Sequence, residues 1–328
     1  MVTEHLDQSK RMKPVCRTLK PFLWSLPAAL LCFGAQAAEN GLGFYLLGSK
    51  GPMAAILPAP GLYLQNDTYF YRASAGASAP LPLGGVVGIG VDAKAVVDLP
   101  TFIWSTPYEL LGGRLAFGLT TPFGYQNVDA DLVYGPYSGD IDNSVTKIGD
   151  PVVTTTVGWS SGDFHWSLNG MVNLPIGDYQ TDSLANIAFH RWGGDLSVAG
   201  TWFDPARGLD ISGVVGFTFN GKNHETDYRT GTEFHVEGAI SQYFSKQFSL
   251  GAIGYYYQQI SDDSGSGAIL GGYRGRVAAL GVTASYNFEL DKTPVQARVK
   301  LLREFHTQNR VEGTSAFLTL SVPLYVSK

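Results

Sequence analysis

Residues 232–260 read TEFHVEGAISQYF, then SKQ, then FSLGAIGYYYQQI. In the first arm Phe234, Val236 and Ile240 alternate with Glu233, His235 and Glu237. A period of two puts the two sets on opposite faces of a β-strand. The three residues Ser245-Lys246-Gln247 leave room only for a tight antiparallel hairpin. One face is apolar and the other carries charge, so this hairpin separates an apolar medium from a polar interior.

The same arrangement recurs along the chain. Twelve runs read as strands: 61–73, 89–104, 114–127, 152–160, 164–174, 195–203, 209–220, 232–244, 248–260, 276–290, 295–305 and 314–326. The connections 105–113, 161–163, 204–208, 245–247 and 291–294 are short. Between them fall the longer polar connections 74–88, 129–150, 175–194, 221–231, 261–275 and 306–313. Short turns on one side and long loops on the other mark a membrane barrel, whereas a soluble sandwich has no reason to keep that asymmetry. The pattern predicts an all-β fold over residues 61–328, a transmembrane antiparallel outer-membrane β-barrel of twelve strands. An even strand number puts both termini on the short-turn side, the periplasm.

Composition agrees. Charged residues are 16% of the chain, against roughly 25% in a soluble domain, while Gly (40), Tyr (17) and Phe (18) are abundant. The net charge of −5 and the lack of a long basic run exclude nucleic acid as a partner class. Aromatics gather where barrel girdles belong. Trp104, Trp159, Trp166, Trp202, Phe244, Phe248, Phe288 and Tyr325 fall at inner strand ends. Tyr69, Tyr71, Phe123, Tyr125, Trp192, Phe219, Tyr256 and Phe305 fall at outer ends.

The first 37 residues read as a secretory leader. Lys10, Arg11, Lys13, Arg17 and Lys20 precede the apolar stretch PFLWSLPAALLCF (21–33), and Ala35-Gln36-Ala37 is a small-x-small cleavage site. Met12 is the alternative start. The apolar stretch is short of the ~20 residues a membrane helix needs. Both cysteines, Cys16 and Cys32, lie in the leader, so the mature chain has neither a disulfide framework nor a thiolate metal site. Residues 38–60, rich in Gly and Pro without a period of two, read as a periplasmic N-terminal segment that tucks into the barrel mouth.

Phase then names the candidate lumen residues. A Lys or Arg facing lipid near the midplane costs about 2–4 kcal/mol, so charges are expected inside. The expected inward set is Asp92, Lys94 and Asp98 on the second strand, Arg114 on the third, and His165 and Asn169 on the fifth. Glu233, His235 and Glu237 on the eighth, and Gln296, Arg298, Lys300 and Glu304 on the eleventh, complete it. These either fill a narrow barrel as a salt-bridged wall or set the polarity of a substrate path. Glu233-x-His235-x-Glu237 has metal-ligating types, but alternate residues of one strand stand about 7 Å apart, too far for a compact site. The expectation is no metal and no cofactor. The acid-rich stretches around Asp129, Asp131, Asp140, Asp142, Asp150, Asp262 and Asp263 read as solvated outer loops, with divalent bridging to lipopolysaccharide as the alternative.

Several stretches resemble a known family. They are Pro58-Ala59-Pro60-Gly61-Leu62-Tyr63, Ile148-Gly149-Asp150-Pro151 and Leu174-Pro175-Ile176-Gly177-Asp178-Tyr179, then residues 220–235 (NGKNHETDYRTGTEFH), then Gln258-Gln259 with Asp262-Asp263. Across nearly all of the mature chain they resemble the outer-membrane family of the MetA-pathway of phenol degradation, which is distantly similar to long-chain fatty-acid channels. The resemblance implies transport of small hydrophobic or aromatic compounds, with outer-membrane lipid and lipopolysaccharide as surroundings. His165-Trp166-Ser167 is similar to the His-x-Ser pair of outer-membrane phospholipases. Here the apolar face is Trp166, Leu168, Val172 and Leu174, so His165 and Ser167 are expected to point inward, and Asn does not directly follow the serine. The reading is a non-enzymatic passive channel. The alternatives are a structural barrel with a closed lumen and, last, a lipid esterase.

Overall fold

The computed structural model describes residues 43–80, 86–134, 137–181, 183–268 and 271–326; the leader features, including Met12 and both cysteines, lie outside these. Fourteen strands and no helix are present among the described residues. They are β1 (Gly61–Pro80), β2 (Val86–Leu110), β3 (Gly113–Thr120), β4 (Phe123–Tyr134), β5 (Tyr137–Ile148), β6 (Val152–Ser161) and β7 (Phe164–Asn173). They continue with β8 (Gly193–Asp204), β9 (Leu209–Asn220), β10 (Glu233–Tyr243), β11 (Phe248–Gln259), β12 (Arg276–Leu290), β13 (Thr293–Gln308) and β14 (Glu312–Val326).

All pairings are antiparallel, and β1 pairs with both β2 and β14, which closes the sheet. β2 pairs with β4 over residues 87–98 and with β3 from residue 101 onward. β3 and β4 are therefore one stave broken at Thr121-Pro122. β5 and β6 are another, broken at Gly149-Asp150-Pro151. The result is a closed barrel of twelve staves. Proline lacks the amide that a ladder needs, which explains why both breaks contain one. Thr121 N donates to Pro100 O at 3.1 Å and Gly149 N to Pro122 O at 2.8 Å, so the two breaks hold each other.

The short turns follow from backbone chirality. Leu111 and Gly112 both have positive φ, as do Asp291 and Lys292, the signature of two-residue turns that match strand twist. The connections expected to be long differ among themselves. Residues 129–150 form a strand-paired hairpin, β4 with β5, and β13 returns to β14 through residues 309–311 alone. Cross-strand hydrogen bonds satisfy the backbone there at lower cost than a loop of that length.

Apolar side chains cover the outside. Phe70, Val96, Leu119, Leu168, Ile240, Leu280, Val282, Leu301 and Leu320 are all exposed on the outer surface. Trp159 stacks on Trp166, and Phe244 on Phe248, at the short-turn rim. The interior is polar: Glu233, His235, Lys300 and Glu304 are each no more than 2% exposed. Tyr69 and Tyr71 correct the girdle assignment. Both point inward, at 9% and 7% exposure, and their neighbour Phe70 faces out. A tyrosine serves either side, and here its hydroxyl finds a buried partner, with Tyr71 donating to Glu304.

Candidate functional site

Residues 43–60 run inside the barrel. A Gly- and Pro-rich segment that cannot join a ladder still needs partners for its amides and carbonyls, and the lumen side chains provide them. The Tyr45 hydroxyl donates to Glu237 Oε1 at 2.9 Å, and its ring stacks on His235 with centroids 3.6 Å apart. The Lys50 amide donates to Glu237 Oε2 at 3.1 Å, the Met53 amide to Asp210 Oδ2 at 3.1 Å, and the Ala55 amide to Thr201 Oγ1 at 3.1 Å. Lys300 Nζ donates to the carbonyls of Gly48 at 2.5 Å and Ser49 at 2.6 Å, and lies 4.2 Å from the Phe317 ring centre. Gly48 has φ +81°, and a Cβ there would press on Leu302 and Phe317 at 3.2 Å, so the segment needs glycine at its closest approach. At the short-turn rim Ser105 Oγ and Arg114 Nη1 both donate to Pro58 O at 2.9 Å.

Behind these contacts lies a second layer of buried polar groups. Asp195 Oδ2 pairs with His235 Nε2 at 2.8 Å and accepts from Thr218 at 2.6 Å. Glu233 accepts from Tyr257 at 2.7 Å and Asn220 at 3.2 Å. Glu304 accepts from Tyr71 and Tyr255, each at 2.8 Å, and from Gly313 N at 2.7 Å. Buried charge is tolerated only when it is paired and hydrogen-bonded. Glu233, His235 and Glu237 make separate hydrogen bonds, to Tyr257 and Asn220, to Asp195, and to Tyr45 and the Lys50 amide.

The remaining interior is a cavity of about 890 Å3 between residues 43–59 and the opposite wall. Ala95, Val97 and Leu99 of β2, Ala116 and Gly118 of β3, and Met171 of β7 line it, with Ile187 and Phe189 at one end. Polar side chains share the lining with these apolar ones: Lys50, Gln65, Asp67, Gln126, Asn169 and Arg298 all reach its surface. The volume falls within the range of small-molecule sites, which combine apolar walls with a few polar groups. The cavity touches Pro122 and Asp150, so it lies behind the two stave breaks.

Of the expected lumen set, the structure joins Glu233, His235, Glu237 and Lys300 around the internal segment and puts Asn169 and Arg298 on the cavity. Arg114 sits at the rim. His165 is half-buried, and Ser167 Oγ accepts instead from Asn169 Nδ2 at 3.2 Å. Among the described residues His165 and Ser167 share no hydrogen bond. Asp92, Lys94 and Asp98 are corrected to the outer face. The inner face of β2 is Val91, Ala95, Val97 and Leu99, while Asp92 and Lys94 are exposed. Asp98 accepts from outward-facing Thr68 at 2.6 Å and Asn66 at 3.0 Å. The aliphatic face of β2 packs against Tyr69, Tyr71 and Ile187 rather than lipid. Asp92 and Lys94 stand at the long-loop edge of the apolar belt, where the midplane penalty falls away, while Asp98, within it, is held by the Thr68 and Asn66 hydrogen bonds.

Sequence reasoning missed Tyr45, Asp195 and Asp210. Lone buried-face acids on strands, Asp195 and Asp210, were the available signal. The reading of Asp150 and Asp263 as solvated loop acids is also corrected, since both are buried and gather hydrogen bonds. Asp150, 2% exposed, accepts from the amides of Gly177 at 2.8 Å, Phe189 at 2.8 Å and His190 at 3.0 Å, and so folds the 174–192 loop onto the barrel end. Asp263 accepts from Gln259 at 2.6 Å, Gly231 N at 2.9 Å and Tyr228 at 2.5 Å, tying the 221–232 loop to the 260–275 loop. In that clasp the Asp227 carboxyl is held well below the usual range by Lys222, then by the Ser266 hydroxyl and amide.

The fold matches solved outer-membrane barrels. The COG4313 outer membrane channel from Pseudomonas putida F1 superimposes with a TM-score of 0.59 at 13% identity, covering 83% of this chain and 98% of that one. A Pseudomonas aeruginosa FadL homologue gives 0.37 at 8% identity, covering 80% and 88%, and the translocator domain of autotransporter NalP from Neisseria meningitidis gives 0.44 at 10%, covering 82% and 91%. No curated protein matches the chain. The family model described as Putative MetA-pathway of phenol degradation matches residues 73–320. With three quarters of its length matched and a closed twelve-stave barrel behind it, the chain belongs to that outer-membrane family.

Proposed function

We propose that the protein is a passive, non-enzymatic outer-membrane channel for small hydrophobic or aromatic compounds, with its long loops outward and both termini periplasmic. The observation that carries this reading is the apolar-walled cavity of about 890 Å3 beside the internal segment. An aromatic solute gains from burial against Val97, Leu99 and Met171, by about 25 cal/mol per Å2 of apolar area. Polar groups among the walls, such as Asn169 and Gln126, orient a hydroxyl. Passage down the lumen then requires displacement of residues 43–60, which are held by hydrogen bonds rather than by a ladder. No energy coupling is involved.

The closed-lumen reading has its own support in the number of bonds that hold that segment. Uptake of labelled aromatics and fatty acids by cells with and without the gene separates the two. Selective loss of aromatic uptake without the gene supports the channel; equal uptake across the panel overturns it in favour of a structural barrel.

A further inference from the structure

Outside the barrel, Arg72 of β1 and Lys94 of β2 are direct cross-strand partners, and both are exposed. Like charges directly opposite each other destabilise a sheet, at a separation of roughly 5 Å. Neither residue forms a salt bridge among the described residues. Two strands away Arg303 of β13 faces outward from the same row. Arg72 and Arg303 both pair with Thr314, and Arg303 reaches Thr314 Oγ1 at 3.3 Å and Glu312 at 2.8 Å.

The rows on either side give this cationic row its meaning. One pleat toward the short-turn end, the outward residues are Leu301, Ala316, Phe70, Val96 and Tyr125, all cross-strand neighbours. One pleat toward the long-loop end they are Glu312, Ser74, Asp92 and Asp129. The outer wall therefore passes from apolar to cationic to acidic in successive pleats. At the edge of the apolar belt the Arg–Lys pair has acids one pleat outward, Asp92 and Asp129, but no contact ion pair among the described residues at the depth where acyl chains give way to phosphate.

We propose that Arg72 and Lys94 form a phosphate-binding site for a phosphorylated glycolipid of the outer leaflet, with Arg303 as its flank. The acyl chains lie on Phe70, Val96 and Tyr125. One phosphate bridges Arg72 and Lys94, with charge-assisted hydrogen bonds from the guanidinium fork. The site rests on the long-loop end facing outward, as the channel reading does, but not on transport.

The test is native mass spectrometry of the purified protein in detergent with bis-phosphorylated lipid A, dephosphorylated lipid A or phosphatidylglycerol. The expected result is retention of bis-phosphorylated lipid A over both other lipids. The double variant Arg72→Gln/Lys94→Gln should lose about tenfold or more of that retention, Arg303→Gln less, and Lys246→Gln at the opposite end none. Arg72→Lys should recover most of it. Heat-modifiable migration confirms that each variant is folded. Equal retention of phosphatidylglycerol, or a double variant that binds like wild type, overturns the site. Labelling of Ser266→Cys in whole cells reads the orientation separately: an unlabelled cysteine sinks the outward placement shared with the channel reading, whatever the binding shows.

Discussion

The Tyr45 hydroxyl and the Glu237 carboxylate meet at 2.9 Å although 192 residues of chain separate them. The Tyr45 ring also stacks on His235, which is itself paired to Asp195. The internal segment is thus fixed at one point by a hydrogen bond and a ring stack through one tyrosine, with the stacked imidazole itself hydrogen-bonded to Asp195.

Loosening this anchor should open the lumen in a graded way. Tyr45→Phe keeps the ring and leaves Glu237 short of one donor, a loss of about 1–3 kcal/mol. Tyr45→Ala also loses the stack, and deletion of residues 43–58 removes the obstruction. Single-channel conductance in planar bilayers is expected to rise in that order. Unchanged conductance after the deletion would show that the barrel wall itself closes the path.

Ala95 is 8% exposed and lines the cavity, whereas its neighbour Val96 faces outward. Ala95→Phe should fill the cavity and lower aromatic uptake several-fold, while Val96→Phe should leave it near wild type. Both variants keep the apolar character of the strand, so expression and folding serve as the internal check. Equal uptake by both would place the path elsewhere.

Gly216 on β9 faces the Asp195–His235 pair. A Cβ there would lie 2.6 Å from His235 Cε1 and 2.6 Å from Ser197 Cβ. Gly216→Val should force the imidazole off Asp195, destabilising the barrel by about 1–3 kcal/mol or more. The expected readout is a lower temperature for the loss of heat-modifiable migration. Gly200→Val, at a position with open space for a Cβ, should have little effect.

The Asp227 carboxyl lies below its ordinary range because Lys222 and Ser266 stabilise the ionised form. A depressed folded value means that the contribution is full above the unfolded pKa, about 4. It is lost only as pH falls through the lower folded value. The clasp between the 221–232 and 260–275 loops should therefore persist at pH 4. Titration of the Asp227 carboxyl carbon by NMR checks this. Lys222→Met should move the midpoint back toward the ordinary range and increase protease cleavage of the loop at neutral pH.

Legibility in the sequence differs from strand to strand. In β10 the alternation of Phe234, Val236 and Ile240 with Glu233, His235 and Glu237 separates an exposed face from a buried one without ambiguity. In β2 the same logic inverts, because both faces offer a reason to be inside: one is aliphatic and the other charged. Which face wins depends on height. Asp92 and Lys94 stand where outward means headgroup or water, and only the cross-strand register reveals that height. The Gly-Asp-Pro break at 149–151 shows the same limit. Its residue types announce an irregularity, but the amides that Asp150 collects from Gly177, Phe189 and His190 come from a loop up to 40 residues away.

The sequence by itself determined the closed antiparallel barrel and its twelve staves. Those properties follow from a local period of two and from turn chemistry, which neighbouring residues express on their own. The sequence also led to the expectation that residues 38–60 tuck into the barrel mouth, but only the tertiary structure decided which side chains hold residues 43–60 in the lumen, that a mainly apolar cavity lies beside them, and that Arg72 meets Lys94 on the outside. Each of these is a meeting between staves or between a stave and the internal segment. Such meetings depend on register and closure, which no local pattern encodes.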